Sequence, residues 1–153
     1  MRYHEIITEK TDLEWLEHFL HFDSVNSEYE KILKDHAMEI IKYFLNKNYP
    51  YSTGNYRMTF IGDKYVFKVP KNDKGIWDNM REAKYYQHDR KNDFAPIAPC
   101  RIFYFNKEIG LPILVMEKVK PHTSGDEYPR WSGQIDSRQI GTTRKGNVVA
   151  YDL

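Results

Sequence analysis

The sequence predicts an α+β fold built on a largely antiparallel sheet. Apolar residues recur at helical spacing between residues 11 and 48. From Tyr56 onward, short aromatic and β-branched runs are punctuated by turn residues, with one further helical stretch at 75–88 between them. Helical hairpin, two strands, helix, two strands, loop, strand is the order of an α+β domain. The 153 residues suit a single domain. It divides into a helical hairpin over 1–50, a sheet with one helix over 51–119, and a loop with a closing segment over 120–153.

Each element has its own signal. Thr11-Asp12-Leu13-Glu14 reads as a capping box, and Leu13, Leu16 and Leu20 form an apolar stripe behind it. Ser27-Glu28-Tyr29-Glu30 repeats the cap and opens a longer helix. Its Ile32, Leu33, Met38, Ile40, Ile41, Phe44 and Leu45 make a broad apolar face, and Asn48 and Pro50 end it. Residues 56–61 and 64–69 read as strands joined at Gly62-Asp63. Helical periodicity returns over 75–88, offering Ile76, Trp77, Met80, Ala83 and Tyr85 or Tyr86 for burial. After Pro96 and Pro99, residues 101–105 and 112–119 are two more strands about Glu108-Ile109-Gly110. Residues 120–133 read as a long surface loop. Ile140-Gly141 with Lys145-Gly146-Asn147, and the apolar run 148–151, complete a strand, a turn and a last strand.

Composition narrows the classes. A hydrophobic content of 41% and an aromatic content of 15% exclude a mostly disordered chain. No apolar run approaches the roughly 20 residues that span a bilayer. MRYHEIITEK has no signal-peptide core, so a cytoplasmic protein without a membrane partner is expected. The single Cys100 excludes an internal disulfide and a cysteine-cluster zinc site. Net charge is +1, yet residues 1–50 carry 10 acidic and 6 basic side chains and the remainder 12 and 17. The positive C-terminal two-thirds is suited to phosphates, in a nucleotide or a nucleic acid.

The segment richest in chemistry is Tyr65-Val66-Phe67-Lys68-Val69-Pro70. A lysine inside an apolar strand is costly to bury unless it meets an anion; the plain alternative is an edge-strand lysine reaching to water. Alternation puts Val66, Lys68 and Pro70 on one face and Tyr65, Phe67 and Val69 on the other. The next helix supplies a carboxylate, Glu82, with Asn79, Ala83 and Tyr86 about a turn from it.

A strand lysine followed by a helix glutamate is how protein kinases position their phosphate-binding lysine. The stretch from Gly62 to Tyr86 resembles the upper lobe of the protein-kinase-like fold, particularly the very short kinase-like proteins of phages and bacteria. Tyr65-Val66-Phe67-Lys68 stands where that family has V-A-I-K, and Glu82 where its αC helix carries glutamate. The likeness runs over roughly residues 54–153. It implies that Ser52-Thr53-Gly54-Asn55-Tyr56 covers the nucleotide, with one glycine where the family has several. It makes Met116 gatekeeper-like, sets Glu117 and Val119 beside adenine, and makes Asp152 the metal-binding aspartate, followed by Leu153 in place of Phe. The implied cofactors are ATP and Mg²⁺.

Two registers are open for the catalytic loop, Gln134-Ile135-Asp136-Ser137-Arg138-Gln139-Ile140-Gly141. With Asp136 as the catalytic aspartate, Gly141 replaces the metal-binding asparagine. With Gln139-Ile140-Gly141 as the Asn-Val-Gly-like segment, Gln134 replaces the aspartate, and this register suits the strand-turn-strand that follows. Only 16 residues separate Val119 from Asp136, too few for a large helical lobe. The N-terminal helices folded underneath would be a substitute scaffold.

The resulting expectation is a degenerate kinase-like domain that chiefly binds a protein partner, a host factor if the source is a phage. Tyr128, Arg130 and Trp131 in the long loop are the residue types that anchor interfaces. The enzyme alternative is a small Mg-ATP-dependent phosphotransferase with Asp136 as base. The third reading is a nucleic-acid-binding regulator, with Tyr51, Tyr56, Arg57, Lys64, Tyr65, Arg101, Phe103, Tyr104 and Lys107 on a basic aromatic sheet face. His18 and His21, with Glu14 a turn away, have metal-ligand spacing but read better as a solvated helix face. Cys100 beside Arg101 reads as a small strand-start filler rather than a nucleophile.

Overall fold

Backbone N–H groups at a helix start need acceptors, and Asn26 rather than Ser27 provides the first. Its side chain accepts from Tyr29 N at 2.8 Å and caps helix α1, Ser27–Asn46. Glu28 and Glu30 lie in the positive first turn, and Asn48 with φ 58° ends the helix in the left-handed region. The computed structural model of the protein describes residues 16–88, 96–122, 128–131 and 139–151. The predicted capping box at Thr11 lies outside them; the helix it opens is seen only as a turn at 16–19.

A five-stranded antiparallel sheet follows, of order β1-β2-β3-β5-β4. Its strands are β1 (Tyr51–Thr53), β2 (Arg57–Ile61), β3 (Tyr65–Pro70), β4 (Cys100–Phe103) and β5 (Ile113–Glu117). Between β3 and β4 lies helix α2, Asp73–His88. It starts two residues before the expected position because Asn72 Oδ1 accepts from Gly75 N at 2.9 Å and acts as the cap. A second sheet, β6-β7-β8, joins Lys120–Pro121, Ile140–Thr142 and Val148–Ala150. The α+β class and the antiparallel pairing are as the sequence predicts.

Register sorts the large sheet into two faces. Opposed residues share a face, so Phe60, Phe67 and Val115 stand in one row and Thr59, Lys68, Leu114 and Ile102 in another. The first face lies under α1. Phe44 of the helix stacks on Phe67 at 4.6 Å and on Phe60 at 5.1 Å, amid buried Tyr51, Met58, Val69 and Ile113. The second face lies against α2 and the small sheet, with Ala83, Cys100, Leu114, Met116, Val149 and Ala150 buried together. Among the described residues, the cluster containing 16–22 and α1 packs on the large sheet and holds no residue of β6, β7 or β8, so these segments cover that sheet rather than lie under the small one.

Residues 96–99 fasten the two sheets. Ala98 N donates to Ala150 O, Ala150 N to Pro96 O, and Glu117 N to Pro99 O, at 2.8–2.9 Å. Among the described residues no helix is long and apolar enough to cross a membrane. Strands β1 and β6 are the elements that the sequence hides. One apolar residue, Tyr51, marks β1, and β6 is two exposed residues, Lys120 and Pro121, recruited by pairing with β7.

Candidate functional site

Helix α2 follows the expected amphipathic pattern only in part: Ala83 is buried, and Ile76, Tyr85 and Tyr86 are half-buried against the core clusters. Of the residues expected in its core, Trp77 is 53% and Met80 45% exposed. Facing inward are Asn79, with no exposed surface, and Glu82, with 4%. Polar groups are buried when they find partners, and the sheet face opposite supplies them.

Lys68 projects from β3 and Arg57 from β2, two positions apart along the same face. Both reach Glu82. Its Oε1 accepts from Arg57 Nη2 at 2.9 Å, and its Oε2 lies 3.4 Å from Lys68 Nζ. Asn79 completes the cluster: its Oδ1 accepts from Arg57 Nη1 at 3.1 Å, while its Nδ2 donates to Lys68 O and Pro112 O, each at 2.9 Å. One carboxylate thus links two strands to the helix, and one amide links the helix to β3 and the approach to β5. Lys68 itself is only 3% exposed.

Sequence reasoning brings Lys68 and Glu82 together but passes over Arg57. The signal for it is register: a Gly62-Asp63 hairpin opposes Thr59 to Lys68 and so sets Arg57 on Lys68's face. Cys100 lies against the same cluster, its Sγ 3.7 Å from Glu82 O. Burial, reinforced by the Glu82 charge and partly opposed by Lys68, pushes its thiol up to about 12. An inert filler is what that environment makes of it.

The expected nucleotide-covering segment is a strand and a tight turn held against α2. Gly54 N donates to Arg57 O at 2.9 Å. Lys71 donates through Nζ to Gly54 O and through its backbone to Tyr56 O, and Asn72 Nδ2 donates to Asn55 O. Burial lowers the Lys71 pKa. A Cβ on Gly75 would stand 2.1 Å from Tyr56 O, so glycine is needed for this approach. Beside Lys68, the half-buried Ser52, Thr59, Ile61 and Val66 line the part of this face toward β1.

The other expected residues fall as follows. Met116 is buried next to Leu114, Glu117 is half-buried and paired with Tyr65, and Val119 packs against the second core cluster. Glu117 also lines a cavity of about 460 Å³ with Tyr86, Thr143, Lys145 and Asn147. The turn that follows Ile140-Gly141 closes as a β7–β8 hairpin. Tyr128 is 41% exposed and edge-on to His122, Arg130 is exposed, and Trp131 is half-buried against the second cluster. Among the described residues the exposed tryptophan is Trp77. Asp136, Asp152, Leu153 and Gln134 lie outside the described residues.

The basic aromatic residues do not form one open sheet face. Tyr51 is buried under α1 and Arg57 is committed to Glu82. His21, Asp23 and Glu30 do cluster, with His21 Nε2 2.7 Å from Asp23 and Nδ1 3.2 Å from Glu30. Both ring nitrogens face carboxylates at the surface, a cluster of one imidazole and two carboxylates.

No known family model matches the chain. Nor does any curated protein or solved structure resemble it significantly.

Proposed function

We propose that the protein is a reduced kinase-like domain that works by binding a protein partner rather than by transferring phosphate. Support for the kinase-like part is geometric. The lysine of the sheet's third strand faces a glutamate of the next helix, as in the kinase upper lobe. The β7–β8 hairpin favours the register in which Gln134, rather than an aspartate, occupies the base position.

The observation carrying the binding role is the orientation of α2. Its inner face is spent on a sealed cross-brace, in which Lys68 and Glu82 are 3% and 4% exposed, while Trp77 and Met80 face solvent. A lysine so enclosed acts as a strut, and large exposed apolar side chains mark interaction surfaces.

Thermal unfolding with and without saturating Mg-ATP tests this against the phosphotransferase alternative. A ligand at 100 times its Kd stabilises by about 2.7 kcal/mol. The expected result is no shift in the wild type. A raised midpoint that disappears in Lys68→Ala would establish a nucleotide site along Ser52, Thr59, Ile61 and Val66 and overturn the proposal.

A further inference from the structure

Strand β4 ends the order of the large sheet, so among the described residues its outer edge has no ladder partner. An unpaired edge presents backbone donors and acceptors that accept another strand. Alongside this edge, between β4 and the outer side of α2, runs a groove of about 630 Å³. Its apolar lining comes from Trp77, Met80, Ala83 and Ile102, and its charges, among the described residues, from Arg81, Lys84 and Arg101. Lys74 and Arg81 lie over the Trp77 ring at 4.1 and 4.9 Å, and both are ion-paired with Asp78 at the rim. On the other side of the edge a second exposed aromatic set begins. Phe103 meets Phe105 at 5.2 Å, and Phe105 meets Tyr43 at 5.6 Å.

From this juxtaposition we infer that the β4 edge is the docking site for an extended, acidic segment of a partner protein. The segment adds as a sixth strand, its backbone pairing with Cys100–Phe103. Alternate side chains then fall to opposite sides of the sheet: one set enters the Trp77–Met80 groove and the other covers Phe103 and Phe105. Acidic residues in the segment meet Lys84 and Arg101. The inference rests on the partner-binding reading and names the chemistry of the partner.

The test is selection of random displayed 12-residue peptides against the whole chain, followed by anisotropy titration of the synthetic winners. The expected winners mix acidic and apolar residues. Their affinity falls at least tenfold in Arg101→Glu and in Trp77→Ser, with thermal midpoints unchanged. It also weakens with added salt. Methylating backbone nitrogens along the peptide abolishes binding only at alternate positions, because only every second N–H of an added strand faces β4.

Winners without acidic enrichment, insensitive to Arg101→Glu, or indifferent to N-methylation overturn the inference and leave the broader reading standing. So does a dimer in sedimentation that Trp77→Ser dissolves, which makes a second copy the occupant. A selection without winners also overturns the inference. Stabilisation by Mg-ATP is the separate result that overturns the broader reading.

Discussion

Replacing Glu82 by glutamine probes the cross-brace with almost no change in shape. The amide retains an acceptor for Arg57, whose Nη2 lies 2.9 Å from Oε1. What it removes is the anion shared by Arg57 and Lys68 under α2, at a position 4% exposed. Removing one partner from a buried ion pair typically costs about 3–5 kcal/mol, against at most about 1 kcal/mol for an exposed pair. With a urea m-value of about 2 kcal/mol/M, the unfolding midpoint of Glu82→Gln should fall by about 1.5–2.5 M. Adding Lys68→Met removes a cation from the same site and should recover part of the loss. Coupling of about 1–3 kcal/mol in the double-mutant cycle is expected. Urea titration followed by far-UV circular dichroism of the four proteins decides it. A loss below about 1 kcal/mol in Glu82→Gln, of the size typical for exposed pairs, or additivity of the two substitutions, would refute the brace.

Three other measurements check neighbouring features. Asn79→Leu takes a donor from both Lys68 O and Pro112 O at a fully buried position, so a loss of about 2 kcal/mol or more is expected in the same titration. Gly75→Ala should destabilise, because its Cβ would stand 2.1 Å from Tyr56 O; an exposed helix glycine gains about 1 kcal/mol from that change, and a raised midpoint contradicts the close approach. Cys100 should react with a thiol reagent at neutral pH only as fast as the protein unfolds. Its pKa rises from 9.0 unfolded to about 12 folded. The folded state therefore holds more protons between those values, and this group's contribution makes stability fall as pH rises from about 9 to 12. Cys100→Ala should flatten that part of the stability profile.

Elements whose signal is local were legible in the sequence. The apolar stripe of α1, the Gly62-Asp63 hairpin, the strands on either side of Gly110 and the β7–β8 turn all follow from periodicity and turn chemistry. The meeting of Lys68 and Glu82 was legible differently, through the resemblance to the kinase upper lobe rather than through periodicity. Boundaries shifted where a cap decided them: Asn26 and Asn72 begin the helices because their side chains reach the third N–H onward. The orientation of α2 was not legible. Trp77, Met80 and Ala83 have the spacing of a core stripe, yet only Ala83 is buried, because two cations on the facing sheet turn Asn79 and Glu82 inward.

The sequence by itself determined the class of the fold and the order of its main elements, because these depend on spacing along the chain. Only the tertiary structure decided what lies against each face. Pairing of β2 with β3 brings Arg57 beside Lys68, and α1 closes the opposite face rather than the space below the small sheet. Placing β4 last in the sheet leaves its edge, among the described residues, without a ladder partner beside a cationic groove. Those outcomes depend on which elements meet across the fold, as Phe44 of α1 meets Phe60 and Phe67 of the sheet, and no local pattern records which of the possible partners they meet.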